Sequence, residues 1–220
     1  GEAPASPYAA AKGASSLYAR FFRAVYETPV VTARVFMAYG PAQRDLAKVV
    51  PASILAALEG RRPPISSGAR QVDWIYAEDV ARRHPTRMAI VKPVDPDDEN
   101  VADVVAKWKE TQGAVGIRIF LREEEKRGAD HPGLDRICKA AVQYDLPLNF
   151  LFWGRVDEGM QIIDRHPKTR FIVDHLGILQ PRVPPAPAEP WADLPKILDL
   201  AKRPNAVIKV SGACTLSKQP

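Results

Sequence analysis

Residues 114–154 read AVGIRIF LREEEKRGAD HPGLDRICKAAVQYD LPLNFLFWG, and the way these forty-odd residues alternate decides the fold. AVGIRIF is short, apolar and rich in β-branched residues, the pattern of a strand buried on both faces rather than one with a wet side. HPGLDRICKAAVQYD, opened by His131, carries apolar residues three and four apart and predicts an amphipathic helix. LPLNFLFWG is a second apolar strand, closed by a glycine. A strand, a helix and a strand in this order join two parallel strands through a helical crossover.

The same period runs outward in both directions. Upstream lie RMAIVKPVDP (87–96), a strand, and NVADVVAKWKETQG (100–113), a helix. Downstream follow the helix VDEGMQIIDRHP (156–167), the strand TRFIVDHLG (169–177), the helix WADLPKILDLAKRP (191–204) and the strand NAVIKVSG (205–212). Five strand signals alternating with four helices predict a parallel sheet covered by helices, either doubly wound or part of a (β/α) barrel. The proline-rich QPRVPPAPAEP (180–190) reads as a surface loop inserted after one of these strands.

The first eighty residues have a different character. SPYAAAKGASSLYARFFRAVYE (6–27) predicts a helix, with Ser6 as N-cap, Pro7 at the first helical position and an apolar stripe. TPVVTARVFMAYGP (28–41) predicts a buried strand ended by Gly40-Pro41, KVVPASILAALE (48–59) a second helix, and Asp73 to Tyr76 a further strand. The join, YAEDVARRHPTRMAI (76–90), reads as a strand end, a short charged helix, a proline break and a new strand.

Composition narrows the function classes. A chain of 220 residues that is 46% hydrophobic can bury a sizeable core and is not a disordered segment. The net charge of +5 is spread out, with 10 basic and 7 acidic groups in residues 1–82 and 21 and 19 in the rest, so no basic stripe points to nucleic acid. Cys138 and Cys214 form no metal-binding or redox motif and read as reduced thiols of a cytoplasmic protein. No apolar run reaches the roughly 18 residues of a membrane helix, so no membrane partner is expected. The start at Gly1, without an initiator Met, predicts an excerpt of something longer. No exposed apolar helix is expected, and the oligomeric state stays open.

Two constellations carry chemistry. Tyr8 and Lys12 fall one helical turn apart, on one face. A lysine ammonium beside a phenol favours the phenolate and makes the tyrosine a proton donor and acceptor. A packed tyrosine under a solvated lysine fits the same spacing. The ordered set SPYAAAKGASSLYARFF, VVTARVFMAYGP and SSGARQVDWIYAEDVA resembles the C-terminal half of an extended short-chain dehydrogenase/reductase of the NAD-dependent epimerase/dehydratase family, over about residues 5–81. That resemblance implies Tyr8 as catalytic acid/base, Lys12 on the nicotinamide ribose, Tyr39, Gly40 and Pro41 near the nicotinamide, and NAD(P) as cofactor. The glycine-rich fingerprint that would cradle the pyrophosphate is absent, as is the family's upstream Ser/Thr.

The second constellation is Asp174-His175 at the end of FIVDHLG, where a parallel barrel presents polar side chains to its active-site mouth. A structural hydrogen-bonded pair is the alternative. The order of RHPTRMAIVKPVDPDDENV, GAVGIRIF, LPLNFLFWG, HPKTRFIVDHLG and NAVIKVSG resembles the amidohydrolase-related family of TIM-barrel hydrolases, decarboxylases and lactonases of small carboxylated compounds, over residues 82–220. The resemblance implies His175, with Asp174, at the catalytic or metal centre, a divalent metal such as zinc in the parent enzyme, and Arg118 as a clamp on a substrate carboxylate. A strand-end salt bridge is the other reading of Arg118. The HxH of the first barrel strand and the Asp after the last strand are missing, and Asn149 and Trp153 stand where many relatives have a His. His84 and His166 read as helix C-caps and His131 as a helix opener.

The expected architecture is therefore an incomplete (β/α) barrel of about five βα units, residues 82–220, preceded by a fragment of a Rossmann-type short-chain dehydrogenase, residues 1–81. Three functions follow: a fragment of a metal-dependent hydrolase, decarboxylase or lactonase; a fragment of an NAD(P)-dependent epimerase, dehydratase or oxidoreductase; or a fusion of two unrelated pieces, joined near residues 81–83, with no activity and no cofactor. The partner expected of either enzyme is a small-molecule substrate.

Overall fold

A computed structural model describes residues 7–30, 38, 39, 46, 48–62, 75–86, 88–121, 127–180, 187–212 and 216. The chain opens with α1 (Pro7–Tyr26), β1 (Ala38–Tyr39), α2 (Val49–Leu58), β2 (Ile75–Tyr76) and α3 (Ala77–Arg83). It continues with β3 (Ile90–Pro93), α4 (Val101–Lys109), β4 (Ala114–Phe120), α5 (Pro132–Gln143), β5 (Leu148–Leu151), α6 (Val156–Arg165), β6 (Phe171–Val173), α7 (Leu194–Leu200) and β7 (Ala206–Ile208). Every strand and helix expected after residue 86 is present. Of the strand expected over 28–41, Ala38 and Tyr39 are described as β1, which pairs in parallel with β2. Ser6 and Cys214 lie outside the described residues.

β3 to β7 form one all-parallel sheet whose spatial order is the chain order, β3-β4-β5-β6-β7. A doubly wound sheet reverses its order at a switch point, whereas a barrel adds each strand beside the last in one direction. The unreversed order thus resolves the alternative left by periodicity: this is an α/β fold with part of a barrel wall. Among the described residues the sheet does not close, and β3 and β7 are its edges.

Alternation along the strands separates two faces. Ile117 and Ile119 of β4, Leu148 and Phe150 of β5, and Phe171 and Val173 of β6 are buried in one core with Val105 and Trp108 of α4, Leu134, Ile137 and Cys138 of α5, Ile162 and Ile163 of α6, and Ile197 and Leu200 of α7. Phe150 meets Phe152 edge to face at 5.1 Å between ring centroids, an arrangement the ring quadrupoles favour. The Trp108 indole N–H donates to the Gly116 carbonyl at 3.0 Å, satisfying the polar edge of a buried ring. The intervening positions Arg118 and Asn149 project from the opposite face, the one that lines a barrel's interior.

The charged helix expected at the join is α3, and it runs unbroken through residues 81–83. Its Ala81 is fully buried, against Gly113 at the entrance to β4. A Cβ on Gly113 would come within 2.8 Å of the Ala81 Cβ, and its φ of +87° is one that glycine adopts without strain. His84 and His166 hold the C-cap positions of α3 and α6, and His131 is the N-cap of α5, its Nδ1 accepting the Gly133 N–H at 3.2 Å.

One expectation is corrected. Helix α1 is exposed along its apolar stripe, with Leu17 64%, Tyr18 65% and Val25 57% accessible and Phe21, Phe22 and Tyr26 in edge-to-face and tilted contact with one another in the open. Periodicity fixed the helix, but a stripe says nothing about what covers it. None of the described helices is long and apolar enough to cross a membrane.

Candidate active site at the strand ends

Asp174 follows β6 directly and is 1% exposed, a buried carboxylate at the C-terminal end of a parallel strand. Such a group is costly unless paired. Three side chains from three other strands or their ends meet it. Arg118 of β4 brings Nε to 2.8 Å from Oδ2, an ion contact without hydrogen-bond geometry. Lys209, just past β7, donates from Nζ to Oδ1 at 3.3 Å, and Asn149 of β5 donates from Nδ2 to the same oxygen at 3.4 Å. Register explains the convergence: Arg118 pairs with Asn149 across β4 and β5, and Asn149 with Ile172 across β5 and β6, so three strand ends lie level. Arg118 therefore makes the strand-end salt bridge, while its side chain remains 29% exposed.

The residues after Asp174 turn sharply. His175 (φ 53°, ψ 46°) and Leu176 (φ 60°, ψ 1°) both occupy the left-handed region, which costs a non-glycine residue of order 1–3 kcal/mol and persists only where surroundings enforce it. The enforcing contacts are visible. The Gln180 amide donates from Nε2 to the His175 carbonyl at 2.6 Å, Leu176 N–H donates to the Lys209 carbonyl at 3.1 Å, and Gly154 N–H donates to the Gly177 carbonyl at 2.8 Å. Trp153, after β5, donates its indole N–H to the Gln180 carbonyl at 2.8 Å, so the ends of β5, β6 and β7 are laced together. A Cβ on Gly177 would run into the Phe152 ring, which accounts for the glycine of DHLG.

His175 Nδ1 lies 2.9 Å from Ser211 Oγ, and Nε2 has no partner among the described residues. Burial lowers the pKa of His175 below the usual imidazole value; the Asp174 carboxylate opposes that and the Lys209 and Arg118 cations add to it. The ring is therefore neutral at pH 7, able to accept a proton at one nitrogen while the other is held.

Of the residues singled out from sequence, Arg118, Asp174 and His175 come together. Tyr8 and Lys12 lie on α1, Lys12 on its exposed side, and the Tyr8 side chain falls outside the described residues. Tyr39 is in β1, its side chain likewise undescribed, and Gly40 and Pro41 are outside the described residues. Lys209, Ser211 and Gln180 were not singled out. Lys209 obeys the same strand-end rule that points to His175, so the signal was present in NAVIKVSG. Gln180 opens a proline-rich stretch read as surface, yet it is 7% exposed because its amide is spent on the His175 turn.

The donor set does not suit a zinc ion. A zinc site takes about three converging protein ligands. His175 has one nitrogen engaged by Ser211, and the neighbouring carboxylate is already flanked by two cations. Among the described residues no three His, Cys, Asp or Glu side chains converge.

Comparison with known proteins gives two overlapping similarities. A family model described as Amidohydrolase matches residues 16–220. The dTDP-glucose 4,6-dehydratase of Shigella flexneri is 40% identical over 159 residues, 69% of this chain and 43% of that protein. The dTDP-glucose 4,6-dehydratase 1 of Escherichia coli K12 is 40% identical over 142 residues, 61% of this chain and 39% of that protein. The chain thus spans less than half the length of these curated relatives. Among solved structures, an amidohydrolase 2 from Bifidobacterium longum subsp. infantis aligns with a TM-score of 0.38 at 22% identity, covering 73% of this chain and 60% of that one. With the family match running over nearly the whole length and including every strand of the five-stranded sheet, the chain belongs to the amidohydrolase family.

Proposed function

We propose that the chain carries part of an amidohydrolase-type active site for hydrolysis, lactone opening or decarboxylation of a small carboxylated compound, at the C-terminal ends of β4 to β7. The observation that carries this reading is the pair of cations on one buried carboxylate beside His175. Arg118 and Lys209 together outnumber the single charge of Asp174, and both remain partly exposed, which leaves positive charge to offer an incoming carboxylate. Asp174 holds the two cations in place, and His175 takes up or returns a proton at Nε2 while Ser211 fixes Nδ1.

In the parent enzymes a divalent metal, zinc among them, would activate water; in this chain His175 is the one histidine at the site. The HxH pair and final Asp of the family have no counterpart in the sequence, so the chain by itself is expected to bind its ligand without turning it over. Titration with small carboxylated lactones tests this. Saturable binding that weakens at least tenfold, about 1.4 kcal/mol, in Arg118→Met supports the reading. Binding indifferent to both Arg118→Met and Lys209→Met sinks it.

The partial identity to dTDP-glucose 4,6-dehydratases favours a second reading, in which residues 1–81 derive from an NAD(P)-dependent epimerase/dehydratase and Tyr8 and Lys12 are its acid/base pair. In that reading residues 82–220 are the barrel portion, and the junction lies near residues 81–83. A change in NADH fluorescence on mixing, lost in Lys12→Met, supports it; no change counts against it. A fusion with no joint function predicts two separate unfolding transitions, and one sharp transition by two probes argues for a single cooperative unit.

A further inference from the structure

At the end of the sheet away from Asp174, where α5 finishes and the chain enters β6, lies an open cavity of about 380 Å³. That is within the roughly 300–1,000 Å³ of small-molecule sites. Its floor is Cys138 and Thr169, both buried, with the Thr169 hydroxyl donating to the Cys138 carbonyl at 3.1 Å, so the one polar group there is spent internally. Val142 supplies an apolar wall that is 42% exposed.

The rim is cationic, and among the described residues no acidic side chain lines the cavity. Arg165 and His166 are committed to Asp135, at 3.0 and 2.8 Å, on the flank of α5. Lys139 and Lys168 are exposed, and their side chains make no ion pair or hydrogen bond among the described residues. An apolar floor beneath two uncommitted ammonium groups fits a ligand with a hydrocarbon body and a single anionic head. The two ammonium groups attract an anionic head as point charges, and the apolar floor favours a head that carries a hydrocarbon tail over a bare phosphate.

We propose that this cavity binds a medium-chain alkyl carboxylate, its tail against Cys138 and Val142 and its head between Lys139 and Lys168. The site is separate from the strand-end cluster, and its binding does not depend on the function proposed there. The test titrates the full chain with octanoate, following the Thr169 and Gln143 amides by NMR and affinity by calorimetry. Expected are saturable shifts at those amides and an affinity reduced at least about tenfold in Lys139→Glu/Lys168→Glu. Acetate, lacking the tail, and octanol, lacking the charge, are expected to bind at least as weakly as octanoate does to that double variant. Because α1 exposes apolar surface that could take up octanoate, Phe21→Lys is included and is expected to leave the shifts intact. Equal binding of octanol, an unchanged affinity in the double variant, loss of binding in Phe21→Lys, or no saturable binding would each overturn the assignment.

Discussion

Arg118 Nε stands 2.8 Å from Asp174 Oδ2 across the width of β5, joining the second and fourth strands of the sheet through a carboxylate that is 1% exposed. The two partners are unequally buried, so removing one is not equivalent to removing the other. Arg118→Met leaves a buried carboxylate with Lys209 and Asn149 and is expected to destabilise by about 3–5 kcal/mol, the usual cost of stranding a buried charge. Asp174→Asn leaves a guanidinium that can turn toward water, and is expected to cost about half as much. Urea midpoints of the two variants check the order; equal losses would mean that Asp174 is held chiefly by Lys209.

Two glycines in helices should respond oppositely to alanine. A Cβ on Gly133, in the first turn of α5, would overlap the Pro96 carbonyl, a backbone atom with nowhere to go. Gly133→Ala is expected to destabilise by about 3 kcal/mol or more, or to unseat α5. Gly13, inside α1, has no atom within 4 Å of where its Cβ would lie. Gly13→Ala is expected to stabilise α1 by about 0.5–1 kcal/mol through helix propensity. Hydrogen exchange of the α1 amides reads the second change, and denaturant unfolding the first.

The pH dependence of stability contains a contribution from His175. Burial lowers its folded pKa, against Asp174 and with Lys209 and Arg118, while the unfolded imidazole titrates near 6.5. As pH falls through about 6.5 the unfolded chain takes up a proton that the folded site resists, so stability is full above that pH and declines below it, levelling once pH is under the folded value. His175→Asn keeps a side chain that tolerates the left-handed backbone and removes the titration. The difference in unfolding free energy between wild type and His175→Asn is expected to shrink from about pH 7.5 to about pH 5. A constant difference would show that the ring titrates alike in both states.

Periodicity made the five strands after residue 86 legible, because buried parallel strands and amphipathic crossovers differ so sharply in apolar spacing. It left the winding open, since strand order is a long-range property that spacing does not encode. The position of His175 just past the end of a buried strand was legible in FIVDHLG. Ser211 and Gln180 were not, because their roles arise from a turn with two left-handed residues that no local pattern in DHLGILQ announces. Gln180 is the sharper case: a neighbouring run of prolines says loop, and only the carbonyl it must satisfy explains its burial. The stripe of α1 shows the converse, a correct local pattern with no information on what it faces.

Cys138 is expected to be chemically silent in the folded chain. Its side chain is fully buried, and burial, with the Asp135 carboxylate adding, pushes its thiol up to about 12, so almost none is thiolate near neutrality. In a Cys214→Ser background, modification by a disulfide reagent at about pH 8 should be slow and should scale with the population in which the α5–β6 region is open. Urea below the unfolding midpoint should accelerate it in step with the unfolded population. A free-thiol burst without denaturant would mean that α5 lifts from the sheet on its own, since Cys138 is held there by packing and by the hydrogen bond from Thr169 to its carbonyl. Thr169→Val, which keeps the volume and removes that bond, is then expected to raise the modification rate about tenfold, the equivalent of one buried hydrogen bond lost.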